Sequence, residues 1–346
     1  MNKLTKVGFS ALCGSLAAIS AANAGEMTVT GGADMTWISK EADTTGNPIG
    51  MGSNLTFKGS GELDNGWTFD LSVANLNGNA FSAAALDVVM GGLGTLSIDQ
   101  GDSGNGISAY DDKMPTAWEE AWGAGLSTHV KLASGAGTAM NIGYASPTIL
   151  GTTLKLAYAP AMGATDTADK GSAVGTAGSG RGYDALININ PSLGTEILSG
   201  LNIYAGGHYT QKAKGNALED LYSAVGGVTY DIGPLSLGIG AAGEATGQEV
   251  TASAVTAYKS NMFGIAFNVN DDLSISYSEY DTRKAGFVHS SGYTAPNTRK
   301  VEVESIQIAY TMGGASIRIA EIEATNVGFS SGANKDATVV SLGLAF

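Results

Sequence analysis

Residues 101–104 read Gly101-Asp102-Ser103-Gly104, the core of a nucleophilic-serine motif. A serine attacks only when a histidine within hydrogen-bond reach takes its proton and a third group orients that histidine. In the enzymes that use this motif the histidine precedes the serine, whereas His129, His208 and His289 all follow Ser103, and Asn105 stands where the motif continues with glycine. A flexible loop mouth accounts for these residues better than a triad does. Metal chemistry fails on the same inventory, because three separated histidines and one cysteine, Cys13, cannot assemble a zinc ligand set. Gly206-Gly207 and Gly226-Gly227 lie inside alternating segments, so they bend a sheet rather than cradle a phosphate. No cofactor, metal or catalytic residue is expected. What remains is charge: Asp102, Asp111, Asp112, Glu119 and Glu120, with Lys113 among them, crowd one stretch of chain. Fixed carboxylates can act on passing ions by their field alone.

The elements around that stretch must hold it in place. The chain has 346 residues, 50 of them glycine, with 43% hydrophobic and only 14% charged residues. Disorder would need the opposite balance. The net charge of −14 argues against nucleic acid, which calls for a basic footprint. Residues 1–24 read as a secretory signal peptide. Lys3 and Lys6 form the basic start, Val7 to Ala18 the apolar stretch, and Ala22-Asn23-Ala24 the small-residue cleavage site before Gly25. Leu12 before Cys13 is too bulky for lipidation. Removing this segment leaves 16 basic against 32 acidic residues, a net −16, and no cysteine. Beyond residue 24 no apolar run approaches the roughly 18 residues of a spanning helix, so a membrane would be crossed by strands.

The dominant pattern has a period of two. From Glu26 to Trp37, Met27, Val29, Gly31, Ala33, Met35 and Trp37 alternate with Glu26, Thr28, Thr30, Gly32, Asp34 and Thr36. Such alternation gives one apolar and one polar face of a strand. It predicts sixteen strands near 26–38, 53–63, 67–76, 82–90, 95–100, 138–146, 152–159, 183–190, 200–210, 220–232, 235–245, 261–269, 273–281, 301–312, 315–325 and 337–346. Tight turns such as Asp64-Asn65-Gly66, Gly233-Pro234 and Gly313-Gly314 alternate with long connections, the longest being 101–137. The polar faces carry Asp34, Lys58, Glu62, Asp70, Asp87, Asp99, Lys155, Asp184, Asp231 and Arg318, charges that need water. The fold class is therefore an all-β, closed transmembrane antiparallel barrel with an aqueous lumen, in residues 25–346. Trp118 and Trp122, four apart, suggest a short packed helix within 101–137.

The strand and glycine turn at Val88–Gly94, the short strand to Gln100, and the acidic loop with Tyr110-Asp111-Asp112-Lys113-Met114-Pro115 together resemble the sixteen-stranded general porins of Gram-negative bacteria. Tyr144 to Thr148 and Leu154 to Pro160 are similar to that family's next hairpin. The resemblance implies that 101–137 folds into the barrel as a constriction, with Asp102, Asp111, Asp112, Lys113, Glu119 and Glu120 at the narrow point. It implies a homotrimer in outer-membrane lipid, passing ions and small hydrophilic solutes. Lys58, Asp70, Asp87, Lys155 and Arg318 become lumen-wall residues. The family's facing cluster of basic residues is missing, for the fourth strand offers Asp87 and the sixth Asn141. Leu342, Leu344 and Phe346 resemble the terminal signal read by the barrel-assembly machinery.

The function expected is a passive, cation-preferring outer-membrane channel that performs no chemistry. The alternatives are a barrel with a structural or adhesin role and an outer-membrane lipid hydrolase. The latter would need a serine and a histidine in register on the lipid face, which the outward positions do not supply.

Overall fold

A computed structural model describes residues 25–41, 46–77, 83–101, 104–163, 179–191, 196–212, 219–248, 255–285 and 300–346. The predicted signal peptide, Asp102 and His289 lie outside the described residues. Sixteen antiparallel strands close one barrel. They are β1 (Met27–Glu41), β2 (Ile49–Glu62), β3 (Thr68–Leu76), β4 (Ala83–Val89), β5 (Thr95–Gln100), β6 (Met140–Ala145), β7 (Thr152–Ala159) and β8 (Ser179–Ile189) in the first half. The second half comprises β9 (Leu201–Lys212), β10 (Leu221–Ile232), β11 (Leu235–Ala245), β12 (Ala257–Asn268), β13 (Leu273–Ala285), β14 (Lys300–Met312), β15 (Ala315–Thr325) and β16 (Lys335–Ala345). No described helix is long and apolar enough to cross a membrane. The strands cross instead, and closure leaves no edge for lipid to strand unpaired.

Closure is made by β1 and β16, which pair from Gly32 with Ala345 to Glu41 with Asp336. The ladder runs on to Phe346, whose amide and carbonyl exchange bonds of 2.9 and 3.1 Å with Gly31. The tight turns are built as the sequence suggests. After Asp64-Asn65, Gly66 takes a φ of 80°, in the region that favours glycine, and Asn270 Oδ1 accepts the amides of Asp272 and Leu273 at 2.9 Å.

Several strands reach further than their expected bounds towards the long-loop rim: β1 to Glu41, β2 from Ile49, β8 from Ser179, β12 from Ala257 and β13 to Ala285. Above the apolar belt the outward positions turn polar, as at Lys259, Asn261 and Arg283, so the hydropathy pattern fades while the hydrogen-bond ladder continues. The segment 191–199 contains a single helical turn at Glu196–Ser199.

The outer face is not uniform. On β7 to β10, Tyr158, Tyr183, Tyr209 and Tyr222 occupy one register row, with successive ring centroids 5.2, 6.1 and 5.3 Å apart. Such girdles mark the boundary between hydrocarbon and headgroups. On the other side a row of acids crosses five strands, Glu279 opposite Glu304, then Glu323, Asp336 and Glu41. Glu304 accepts a 3.0 Å bond from Tyr277, and Glu302, one row above, pairs with Lys300.

The hydrophobic core lies inside the barrel. Ile107, Met114, Ala121, Ala124 and Leu126 from the segment after β5 pack against inward residues of β8 to β16, including Leu186, Val225, Met262, Val303 and Ile322. Of the inner faces of β1 to β5, only Ile38 of β1 packs against this cluster, beside Gly125 of the loop.

Candidate functional site

The site is built by the segment between β5 and β6. Asp99 at the end of β5 turns the chain, its two carboxylate oxygens accepting the amides of Gly101 at 2.7 Å and Gly104 at 3.2 Å. Gly106 follows with a φ of 70°, and a Cβ there would strike the Asp184 carboxylate. Ile107 N–H donates to Asp184 Oδ2 at 2.8 Å. The Tyr110 ring then packs on Tyr204, 5.5 Å between centroids, and the ammonium groups of Lys155 and Lys113 lie 4.8 and 5.7 Å from its centre. Met114 and Pro115 press onto the glycines of a trough at Gly238, Gly240 and Gly264, where a Cβ would collide with them.

Further along, the loop takes its hydrogen bonds from the wall. Ala117 N–H donates to Ser276 Oγ at 2.8 Å, Trp118 and Glu119 N–H both donate to Gln307 Oε1 at 3.0 Å, and Gln307 Nε2 returns a bond to Glu119 O. This overturns the short helix expected at Trp118 and Trp122. The amides that would start it are taken by Gln307, and the stretch runs as bends and a turn. Trp118 instead stacks under the Arg318 guanidinium, 5.0 Å away. The return limb is tied by Lys131 N–H to Thr282 Oγ1 at 3.1 Å and by Ser260 Oγ to Lys131 O. It finishes with Ala136 N–H on the Asp184 carboxylate at 3.0 Å.

These bonds separate the expected residues. Asp111, Asp112 and Glu120 form one electrostatic group with Lys113. Burial and the neighbouring Asp112 push the Asp111 carboxyl up to about 7, and burial raises Glu120 as well. Glu119 adjoins this group through Glu120, raised by burial and by Glu120 and partly offset by Arg318. Arg318 is itself bound to Asp34 and, at 2.8 Å, to Ser341. Lys58, Asp70 and Asp87 lie on the uncovered inner wall, Asp70 directly opposite Asp87, which accepts Ser97 Oγ at 2.5 Å. Lys155 is on that face of β7 but belongs to the loop root through Tyr110. Leu342, Leu344 and Phe346 alternate on the outer face near the short-turn rim, Phe346 being 80% exposed. A cavity of about 770 Å³, lined by Asp34, Asn54, Thr56, Glu119 and Arg318, opens between the loop and β1, β2, β15 and β16. A second, of about 410 Å³, reaches Asp87, Ser97, Asp99, Asn105 and Lys155.

Gln307, Ser276, Thr282 and Ser260 were not singled out by sequence. Their signal is a run of small or amide side chains, without charge, on the inner face of β12 to β14. In the sequence Asp184 appears only as a lumen charge and His208 only as a scattered histidine. They are joined: His208 Nδ1 lies 2.5 Å from Asp184 Oδ1 and Nε2 lies 2.6 Å from Thr210 Oγ1. The connectivity is that of a proton relay, but both Asp184 and His208 side chains are wholly enclosed and no substrate can reach them.

A closed barrel with charged inner positions lining open cavities, and one long loop turned inward, is the construction of an outer-membrane diffusion channel. The chain belongs to the family of Gram-negative porins, whose family model matches residues 9–345. No curated protein matches the sequence. Among solved structures, the anion-selective porin from Comamonas acidovorans is similar at 14% identity and a TM-score of 0.62, with 93% of this chain and 100% of that one covered. OmpF of Salmonella typhi, solved with daunomycin, is similar at 11% identity and a TM-score of 0.65, covering 93% and 98%. OmpT of Vibrio cholerae in its trimer form follows at 11% and 0.59, covering 94% and 100%.

Proposed function

We propose that this porin is a passive, cation-preferring channel for ions and small hydrophilic solutes, and that the segment after β5 is its constriction. The observation that carries the reading is the charge on the two sides of the open passage. Asp111, Asp112, Glu119 and Glu120 stand on the loop, and Asp70 and Asp87 on the bare wall, against Lys58, Lys113 and Lys155; Arg318 is occupied by Asp34. Unit charges about 4 Å apart interact by about 4 kcal/mol at an effective dielectric of 20, so a small surplus of carboxylates in a narrow wet passage is enough to bias ion entry. The Comamonas acidovorans porin is anion-selective on the same fold, so the fold does not set the sign and these side chains must.

The trimer form of OmpT supports reading this chain as a homotrimer in outer-membrane lipid. Cleavage before Gly25, assembly through the terminal strand ending in Leu342, Leu344 and Phe346, and the absence of catalysis belong to the same proposal. A planar-bilayer reversal potential in a KCl gradient tests it. A cation-selective value that weakens as salt rises, and falls when Asp111, Asp112, Glu119 and Glu120 are neutralised together, is expected; an anion-selective wild type overturns the reading.

A further inference from the structure

Both limbs of the inward loop end on one side chain. Asp184 of β8 accepts Ile107 N–H from the outgoing limb at 2.8 Å and Ala136 N–H from the returning limb at 3.0 and 3.1 Å. Each contact residue is preceded by a glycine, Gly106 and Gly135, at which a Cβ would meet the same carboxylate. The chain thus carries the same Gly-apolar step twice, and each step brings bare backbone against one buried anion.

His208 completes the arrangement from β9. An ionised Asp184 can only accept, so His208 donates to it from Nδ1, while Nε2 is bonded to the Thr210 hydroxyl. Asp184 and His208 are fully enclosed, and Ile107 beside them is 0% exposed. A buried carboxylate is tolerated only when its lone pairs are filled, and here the loop's own backbone fills most of them. Loop and wall satisfy one another, so neither can leave without exposing a buried charge.

We propose that Asp184, oriented by His208, is the clasp that positions the constriction: a positioning residue for permeation that fixes both ends of the loop to the wall at one point. Gln307 holds the far end of the loop separately, and the clasp governs how far the root can swing into the passage. The part of this proposal that concerns current rests on the channel reading above; the part that concerns loop position does not.

The test uses the full chain as Asp184→Ala, His208→Leu and His208→Asn, the last keeping a donor near the Nδ1 position. Two readouts are taken: amide exchange of residues 105–109 and 133–139, and single-channel current in planar bilayers. In Asp184→Ala and His208→Leu these amides are expected to exchange at least about tenfold faster, the order set by losing a hydrogen bond to a charged group. Open-channel noise is expected to rise with them, and His208→Asn to restore both. Wild-type exchange in His208→Leu overturns the clasp. If Asp184→Ala does not fold, the contrast between His208→Leu and His208→Asn decides. Faster exchange with unchanged current overturns the constriction instead, and a wild type without conductance overturns the channel while exchange still judges the clasp.

Discussion

The inner wall has two sectors that obey different rules. Along β8 to β16 the loop lies against the wall, and the inward positions are Leu186, Val225, Met262, Val303 and Ile322, interrupted by single hydroxyls and amides wherever a loop N–H needs an acceptor. Along β1 to β4 the wall is bare except where Ile38 meets the loop, and the inward positions carry Thr30, Asn54, Lys58, Asp70 and Asp87. One strand alternation thus encodes two interiors, a dry core and a wet conduit. The difference shows that inward polar groups are partnered by the loop where it covers them, as at Asp184 and Gln307, and are left to solvent where it does not.

The hardest way to break this contrast is to charge one position in each sector. Val303→Asp places an unpaired carboxylate at a wholly enclosed site, and a loss of about 3 kcal/mol or more is expected, read as a lower urea midpoint of the folded barrel. Thr56→Asp, beside the larger cavity, should stay within about 0.5 kcal/mol. Equal costs would mean that the two sectors are equally wet.

Removing one acceptor gives a smaller effect. Gln307→Ala strands the amides of Trp118 and Glu119, and a cost of about 1–3 kcal/mol for a buried unsatisfied group is expected in the same unfolding measurement, with faster exchange at 117–120. Protection unchanged at those amides would show that the far end of the loop is held by packing alone.

Acidity sharpens the comparison at the boundary between the sectors. With Asp111 pushed up to about 7, its charge appears only as pH rises through that value. Cation preference in the reversal potential should therefore grow between pH 6 and pH 8, and Asp111→Asn should flatten the slope. The sign for stability is the reverse. A carboxyl raised in the fold above about 3.9 favours the folded state in its protonated form, so that contribution is complete at low pH and is lost as pH climbs through about 7. Least of all, Asp87→Asn on the open wall should shift selectivity slightly and leave stability within about 0.5 kcal/mol.

Much of the barrel was readable because each strand announces itself locally through Met27, Val29 and Trp37 against Thr28 and Asp34, or Ile317 and Ile319 against Arg318. The inward loop was readable as long and acidic, and its fold into the barrel through the family resemblance, but the residues that anchor it were not. Gln307 and Asp184 lie 188 and 77 residues from the amides they accept, and a lone glutamine on an inward face does not say which backbone will come to it. The Trp118 and Trp122 spacing misled for the same reason: helix periodicity assumes that amides bond within the segment, and here the wall takes them. Strand ends slipped where outward residues leave the apolar belt while the ladder persists.

The seam between β1 and β16 carries a consequence for how the molecule comes into being. Ser341 bonds Asp34 across 307 positions of sequence, and the ladder that closes the barrel joins the first strand to the last. Until β16 has been made, β1 presents an unpaired row of amides and carbonyls with an apolar face beside it. A chain of such high contact order cannot bank its closure early, and it meets the conditions that favour slow folding and aggregation of intermediates. Closure of this barrel therefore has to wait for the last strand to be made.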